Sequence, residues 1–195
     1  MHPVYRQLCM DHRHIQRLLH CMRTIINPLG AEGVSPERLE LLLDIVEYIK
    51  TYPEYWHHPI EDQVFSLLLL KRVPESELLR EIICDHGRME KQTAELEHFL
   101  RSIAQGCVVP IKNLKTLAEL YIHNQADHIE KENKWVYPLM EQHLQDEDWQ
   151  WIAEKLPAIE DPLFGEKRRK DYENLYSNIV AGEQDLLQLS RKAAL

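Results

Sequence analysis

His57-His58-Pro59-Ile60-Glu61-Asp62 is the stretch on which the reading of this chain turns. It places a histidine and a glutamate four residues apart, His57 and Glu61. The same pair returns as His128 and Glu132 in DHIEKENKWVYP, residues 127–138. On an α-helix, residues i and i+4 lie about 40° apart around the axis and roughly 6 Å apart along it, so both side chains reach one space. An imidazole and a carboxylate that meet there form half of a site for a first-row transition metal.

Each pair follows a lone histidine in a matching dipeptide, Asp11-His12 before the first and Asp85-His86 before the second. The spacing from His12 to His57 is 45 residues and from His86 to His128 it is 42. This reads as one unit used twice: a helix that carries His, then a helix that carries His-x-x-x-Glu. The predicted fold is therefore all-α, an antiparallel up-down four-helix bundle over residues 1–145. Residues 146–195 form a helical extension that packs on the bundle or on a second subunit. Folded so, His12, His57, Glu61, His86, His128 and Glu132 converge, and the two carboxylates can bridge two metal ions while the imidazoles cap them.

Composition agrees with one helical domain. Of 195 residues only 6 are glycine, and no stretch alternates in the manner of a strand. The formal charge of −9 argues against a nucleic-acid surface. The one dense basic run, Lys167-Arg168-Arg169-Lys170, is expected on a solvated helix face. The four cysteines form no Cys-x-x-Cys motif. With no signal peptide read at the start, reduced thiols in a cytoplasmic protein are expected. Cys9, Cys21 and Cys84 fall in helical apolar patterns and are expected to pack in the core. The apolar run from Val64 to Leu70 is too short to span a bilayer.

Apolar spacing and breakers set the predicted helices. The first runs from about Pro3 to Asn27, with His12 in the stripe of Leu8 and Ile15 and with His14 facing out. Ser35 caps the second, which Pro36 opens and which runs to about Arg72. Pro53 and Pro59 within it imply a bend or a division into two helices. The third spans about 74–105 and the fourth about 110–143, with Pro138 bending its last turns. A short helix over 146–156, a turn at Pro157 and at DPLFG (161–165), and a last helix over about 166–189 complete the chain. Tyr172, Leu175, Tyr176, Ile179 and Leu186 give that last helix an apolar stripe, and a homodimer could form through it.

The remaining polar residues divide more loosely. His58 stands 100° round from His57 and reads equally as a support for the site or as surface. His2, His20, His98, His123 and His143 fall outside it. Asp11, Asp85 and Asp127 each precede a candidate ligand; each would more easily serve a histidine of a neighbouring helix than its own neighbour, and reads equally as a solvated carboxylate. A rival pattern of Glu-x-x-His pairs, Glu54/His57 and Glu95/His98, is the spacing used in ferritin-like sites.

The order H…HxxxE…H…HxxxE, with the strings DHRHIQRLL, HHPIEDQVFSLL and HIEKENKWVYPLM, resembles the hemerythrin-like (HHE cation-binding) domain over about residues 1–145. DPLFG and the tyrosine-rich helix after it look like the tail of the family's bacterial single-domain members. The resemblance implies a four-helix bundle that holds two iron ions, bridged by the two glutamates and an oxo or hydroxo group. It departs from the oxygen-carrying members, which place His-x-x-x-His on the third helix. Here that position is Glu90. One iron then lacks a histidine, and Glu90, Tyr48, Tyr52, Tyr55, Tyr121 or water would take its place. An open position favours reaction with peroxide, oxygen or nitric oxide over oxygen carriage. The expected functions are binding or sensing of a small diatomic ligand or of cellular iron and redox state, catalase- or peroxidase-like turnover, or a structural or zinc-loaded bundle. Neither a nucleic acid nor a membrane is expected as a partner.

Overall fold

Proline and serine set where the helices begin. Pro3 opens α1 (Pro3–Ile26), where the ring nitrogen Nδ1 of His2 accepts the Val4 N–H at 3.3 Å. Pro36 opens α2 (Pro36–Thr51), and Ser35 Oγ accepts the Arg38 N–H at 3.4 Å. A proline at the first helical position loses no helix bond, and the cap satisfies a donor the helix leaves free. The computed structural model describes residues 2–30, 33–155 and 159–193, with side chains as far as Gln184.

The interior prolines act differently. α2 leads into a π-helical turn, Pro53–His57, and then α3 (His58–Leu70). The long helix α4 (Ser76–Ala104) follows. α5 (Ile111–Lys131) leads into a second π-helical turn, Glu132–Val136, and then α6 (Tyr137–His143). In both turns the residue just before a proline donates its N–H five residues back, His58 to the Pro53 carbonyl and Tyr137 to that of Glu132. A proline ring in an α-helix clashes with the carbonyl four residues earlier. Widening the preceding turn by one residue moves that carbonyl away, and the helix continues in a new phase.

α1 packs on α2 and α5, and α4 packs on α2, α3 and α5, which closes a ring of helices around one core. Leu8, Leu18 and Met22 from α1 meet Leu42, Ile45 and Ile49 from α2, Leu79 and Ile82 from α4, and Leu114 and Ile122 from α5. The chain is an all-helical bundle, as the sequence predicts, with no strand among the described residues. Among the described residues, no helix is long and apolar enough to cross a membrane.

α7 (Asp146–Lys155) packs against α3, and Trp149 and Ile152 are buried. α8 (Glu173–Ala193) packs on α1 and α2. Its Leu175 and Ile179 are buried, while Pro157 and the Leu186 side chain lie outside the described residues. α8 starts at Glu173, not near Glu166, because the basic run belongs to a loop. The Arg169 N–H donates to the Pro162 carbonyl, Arg168 Nε donates to that of Leu163, and the Arg168 guanidinium covers the Tyr176 ring. Two further expectations fail. Cys84 is exposed, whereas Cys21 is buried and Cys9, partly buried, packs against the core as predicted. His14 does not face solvent: its ring stacks on Phe164 with 4.1 Å between centroids, because the DPLFG loop folds back over α1.

Candidate metal centre

Four stretches of the bundle bring their polar side chains to one place. α1 supplies His12. The first π-turn and the start of α3 supply His57, His58 and Glu61. α4 supplies His86. The end of α5 and the second π-turn supply His128 and Glu132. All seven are at most 4 % exposed.

The two glutamates occupy the middle. Glu61 Oε1 lies 3.4 Å from His12 Nε2, and its Oε2 lies 3.3 Å from His57 Nε2 and 3.5 Å from His86 Nε2. Glu132 Oε2 lies 3.2 Å from His12 Nε2, and its Oε1 lies 3.1 Å from His128 Nε2 and 3.4 Å from His86 Nε2. Each carboxylate thus reaches imidazoles on both sides. One ring nitrogen from each of His58, His86 and His128 falls within 4.8 Å of the others. So do the ligand atoms of His12, His57 and Glu61, and those of Glu61, His86 and Glu132.

Three of the imidazoles are held from behind. His57 Nδ1 lies 3.1 Å from Asp11 Oδ2, His86 Nδ1 2.8 Å from Asp62 Oδ1, and His12 Nδ1 2.9 Å from Asn133 Oδ1. An ionised carboxylate only accepts, so Nδ1 of His57 and His86 carries the proton and Nε2 is left to face the glutamates. Asp11 is fixed in turn: Gln7 Nε2 donates to its Oδ1 at 2.7 Å and the Tyr52 hydroxyl donates at 3.2 Å. Above the glutamates, the Tyr137 hydroxyl donates to Glu61 Oε1 at 2.7 Å and lies 3.1 Å from His12 Nε2.

A cation suits this arrangement. Glu61 Oε2, both Glu132 oxygens, His86 Nε2 and both His128 ring nitrogens are buried with no hydrogen-bond partner among the described residues. Buried polar atoms rarely go unpaired, and these converge. Nitrogen and oxygen donors of this kind suit iron, zinc or manganese. Without a cation, protons do part of the work. Burial pushes His57 and His86 down, but the carboxylates around them outweigh it and hold the two at about 9 and about 10. Burial also opposes ionisation of Glu132, and the neighbouring histidines overcome it and hold the carboxyl well below its usual range. His58 goes the other way: burial, then the charges on His86 and His57, hold it well below the usual imidazole value.

The six residues singled out by spacing therefore stand together. Glu90 does not join them; it is exposed on α4. Of the tyrosines considered, Tyr55 is exposed, Tyr48 bonds Asp161, Tyr52 bonds Asp11, and Tyr121 pairs with Thr93. Glu95 and His98 lie exposed, so the Glu-x-x-His pairs build no second half-site. Asp11 does serve a neighbouring helix. Asp85 and Asp127 instead pair with Arg88 and Lys131. Spacing left the place of His58 open and did not find Tyr137. His58 stacks flat on His86, 4.3 Å between centroids, and adds a fifth imidazole. Each of these two residues directly precedes a proline that follows a π-turn, and that local pattern is the signal that could have found them.

A second polar group, Asp11, His14 and Asp161, lies behind the site. Asp161 is already saturated. Its Oδ1 accepts the Leu163 and Phe164 N–H groups, and its Oδ2 accepts the Tyr48 hydroxyl and lies 2.9 Å from His14 Nδ1. It anchors the DPLFG loop.

Residues 4–140 match the family described as Hemerythrin HHE cation binding domain. No curated protein sequence matches the chain.

Proposed function

The chain belongs to the hemerythrin HHE cation-binding family, and we propose that it carries two iron ions, oxo- or hydroxo-bridged, and binds or senses a small diatomic ligand such as oxygen or nitric oxide. His12, His57, Glu61, His86, His128 and Glu132 are the proposed ligands, and His58 joins them. The observation that carries this reading is the convergence of buried, unpaired oxygens and nitrogens on Glu61, His86, His128 and Glu132. Bound iron would supply Lewis acidity and a redox couple to a small ligand. The protein's part is to keep the site dry, to fix His57, His86 and His12 through Asp11, Asp62 and Asn133, and to hold a hydrogen-bond donor, Tyr137, beside it.

His58 changes what the replacement of a histidine by Glu90 implies. The His58, His86 and His128 side has three imidazoles, and the His12 and His57 side has two. An open position then belongs to the two-histidine side, next to the Tyr137 hydroxyl. Burial, with Glu61 and Glu132 close by, holds that phenol well above its usual value, so it stays protonated and able to donate. A hydrogen-bond donor held beside the open position supports a second reading, turnover of peroxide.

The test is metal content and a visible spectrum of protein from iron-supplemented cells. Two irons per chain, with oxo-to-iron charge-transfer absorption that shifts on addition of azide, is the expected result. Zinc alone, or an intact fold with no metal, overturns the di-iron reading. Reversible nitric oxide or oxygen binding without consumption selects the binding function. Steady peroxide consumption that Tyr137→Phe abolishes selects the enzyme.

A further inference from the structure

A pocket of about 270 Å³ opens between α4 and α5, and His128 forms part of its wall. Its lining is polar: Glu81, Asp85, Arg88 and Gln92 from α4 face Asn124, Asp127 and Lys131 from α5. Arg88 pairs with Asp85, and Lys131 Nζ lies 2.8 Å from Asp127 Oδ2. These pairs offset one another, and the exposed Glu81 leaves the mouth with a negative balance on a chain of formal charge −9. Inside, Gln92 Oε1 is buried and accepts no hydrogen bond among the described residues.

His128 differs from the other imidazoles. Those of His12, His57 and His86 are tied at Nδ1 to Asn133, Asp11 and Asp62. His58 is clamped flat against His86. His128, 4 % exposed, borders the pocket; its Nδ1 has no hydrogen-bond partner among the described residues, and its Nε2 faces Glu132. An imidazole that nothing holds from behind can turn toward an incoming ion and carry it inward to Glu132, whose Oε1 is 3.1 Å from Nε2.

We propose that this pocket is the loading and release route for a divalent cation, with Glu81 at its mouth, the Gln92 carbonyl oxygen along it, and His128 as the ligand that takes the ion first. The inference rests on the reading of the core as a metal centre, and it adds the side from which the centre fills. A net negative charge at the mouth raises the local concentration of a cation and its rate of capture.

The test follows cobalt(II) uptake by metal-free protein through its visible absorption in stopped flow. Glu81→Lys, an exposed substitution, should slow uptake by about fivefold or more, with the difference shrinking in high salt. Asn124→Trp, which fills the pocket, should slow both uptake and removal by a chelator. Final cobalt content should equal that of the wild type in both. Glu173→Lys, an exposed site on α8, makes the same change in net charge and should leave the rate unchanged. Wild-type rates in Glu81→Lys and Asn124→Trp would overturn the route and leave the centre standing. Equal slowing in Glu173→Lys would assign the effect to net charge and also overturn it. A wild-type chain that takes up no cobalt would remove the metal centre itself.

Discussion

Glu132 has an imidazole nitrogen within 3.5 Å on each side of its carboxylate, from His12, His86 and His128. Its loss removes a donor shared by both halves of the centre. His57 is one of only two imidazoles on its own side. We predict that Glu132→Ala and His57→Ala each lower bound iron below half of the wild-type content, measured on protein purified under the same iron supply. Asp11 touches no proposed ion and acts through His57. Asp11→Asn should keep the metal content at saturation but weaken affinity by about 10–100-fold, read by competition with a chelator. A different residue governs stability. Burial pushes the Glu54 carboxyl up to about 7 in the folded protein. A raised carboxyl binds its proton more tightly folded than unfolded, so stability is lost as pH rises from the unfolded value through about 7. Glu54→Gln should match the wild type at low pH and exceed it at pH 8 by on the order of 2 kcal/mol after allowance for partial exposure. Equal melting temperatures at pH 8 would count against a buried, strained carboxyl there.

At the scale of the element, the two π-turns decide what the sequence could reveal. Apolar phase and the i, i+4 rule bring His12, His57, Glu61, His86, His128 and Glu132 to one face because each pair, and each lone histidine, sits in or beside regular α-helix. His58 and Tyr137 were not legible that way. Each comes one residue after a turn with an extra residue in it, which resets the phase by about 100°. The prolines were visible, but the choice between a break, a kink and a widened turn depends on packing around them. The turn makes a prediction of its own. Pro59→Ala removes the ring that excludes the Tyr55 carbonyl and restores an N–H donor, so the Pro53–His57 turn can relax toward α-helix. Helical content by circular dichroism should hold or rise. His58 should rotate away from His86, and bound metal should fall. Unchanged metal content with unchanged near-ultraviolet dichroism would mean that the π-turn is held by tertiary packing and not by the proline.

At the scale of the molecule, the helix order and the closing of the ring were legible from caps, breakers and repeated spacing. The DPLFG loop was not, since its hold on Tyr48 and His14 through Asp161 runs over more than a hundred residues of sequence. The assembled bundle buries two carboxylates among five imidazoles, and the charge must be balanced by protons or by metal. In metal-free protein the balance comes from His12, which Glu132 and Glu61 raise well above the ordinary 6.5, and from His57 and His86, held at about 9 and about 10. A histidine whose folded value is raised lends stability that is fully present below its unfolded value and lost as pH rises through the folded one. Metal-free protein should therefore lose stability between about pH 7 and pH 10. In loaded protein the cations stand where those protons were, and that part of the pH dependence should vanish. The difference in melting temperature between loaded and metal-free protein should widen by about 5 °C or more from neutral pH to about pH 9.5. Both forms are to be followed by circular dichroism in parallel. A constant difference across that range would mean that protonated histidines do not balance the buried glutamates, and that the bundle tolerates the bare carboxylates by opening to water.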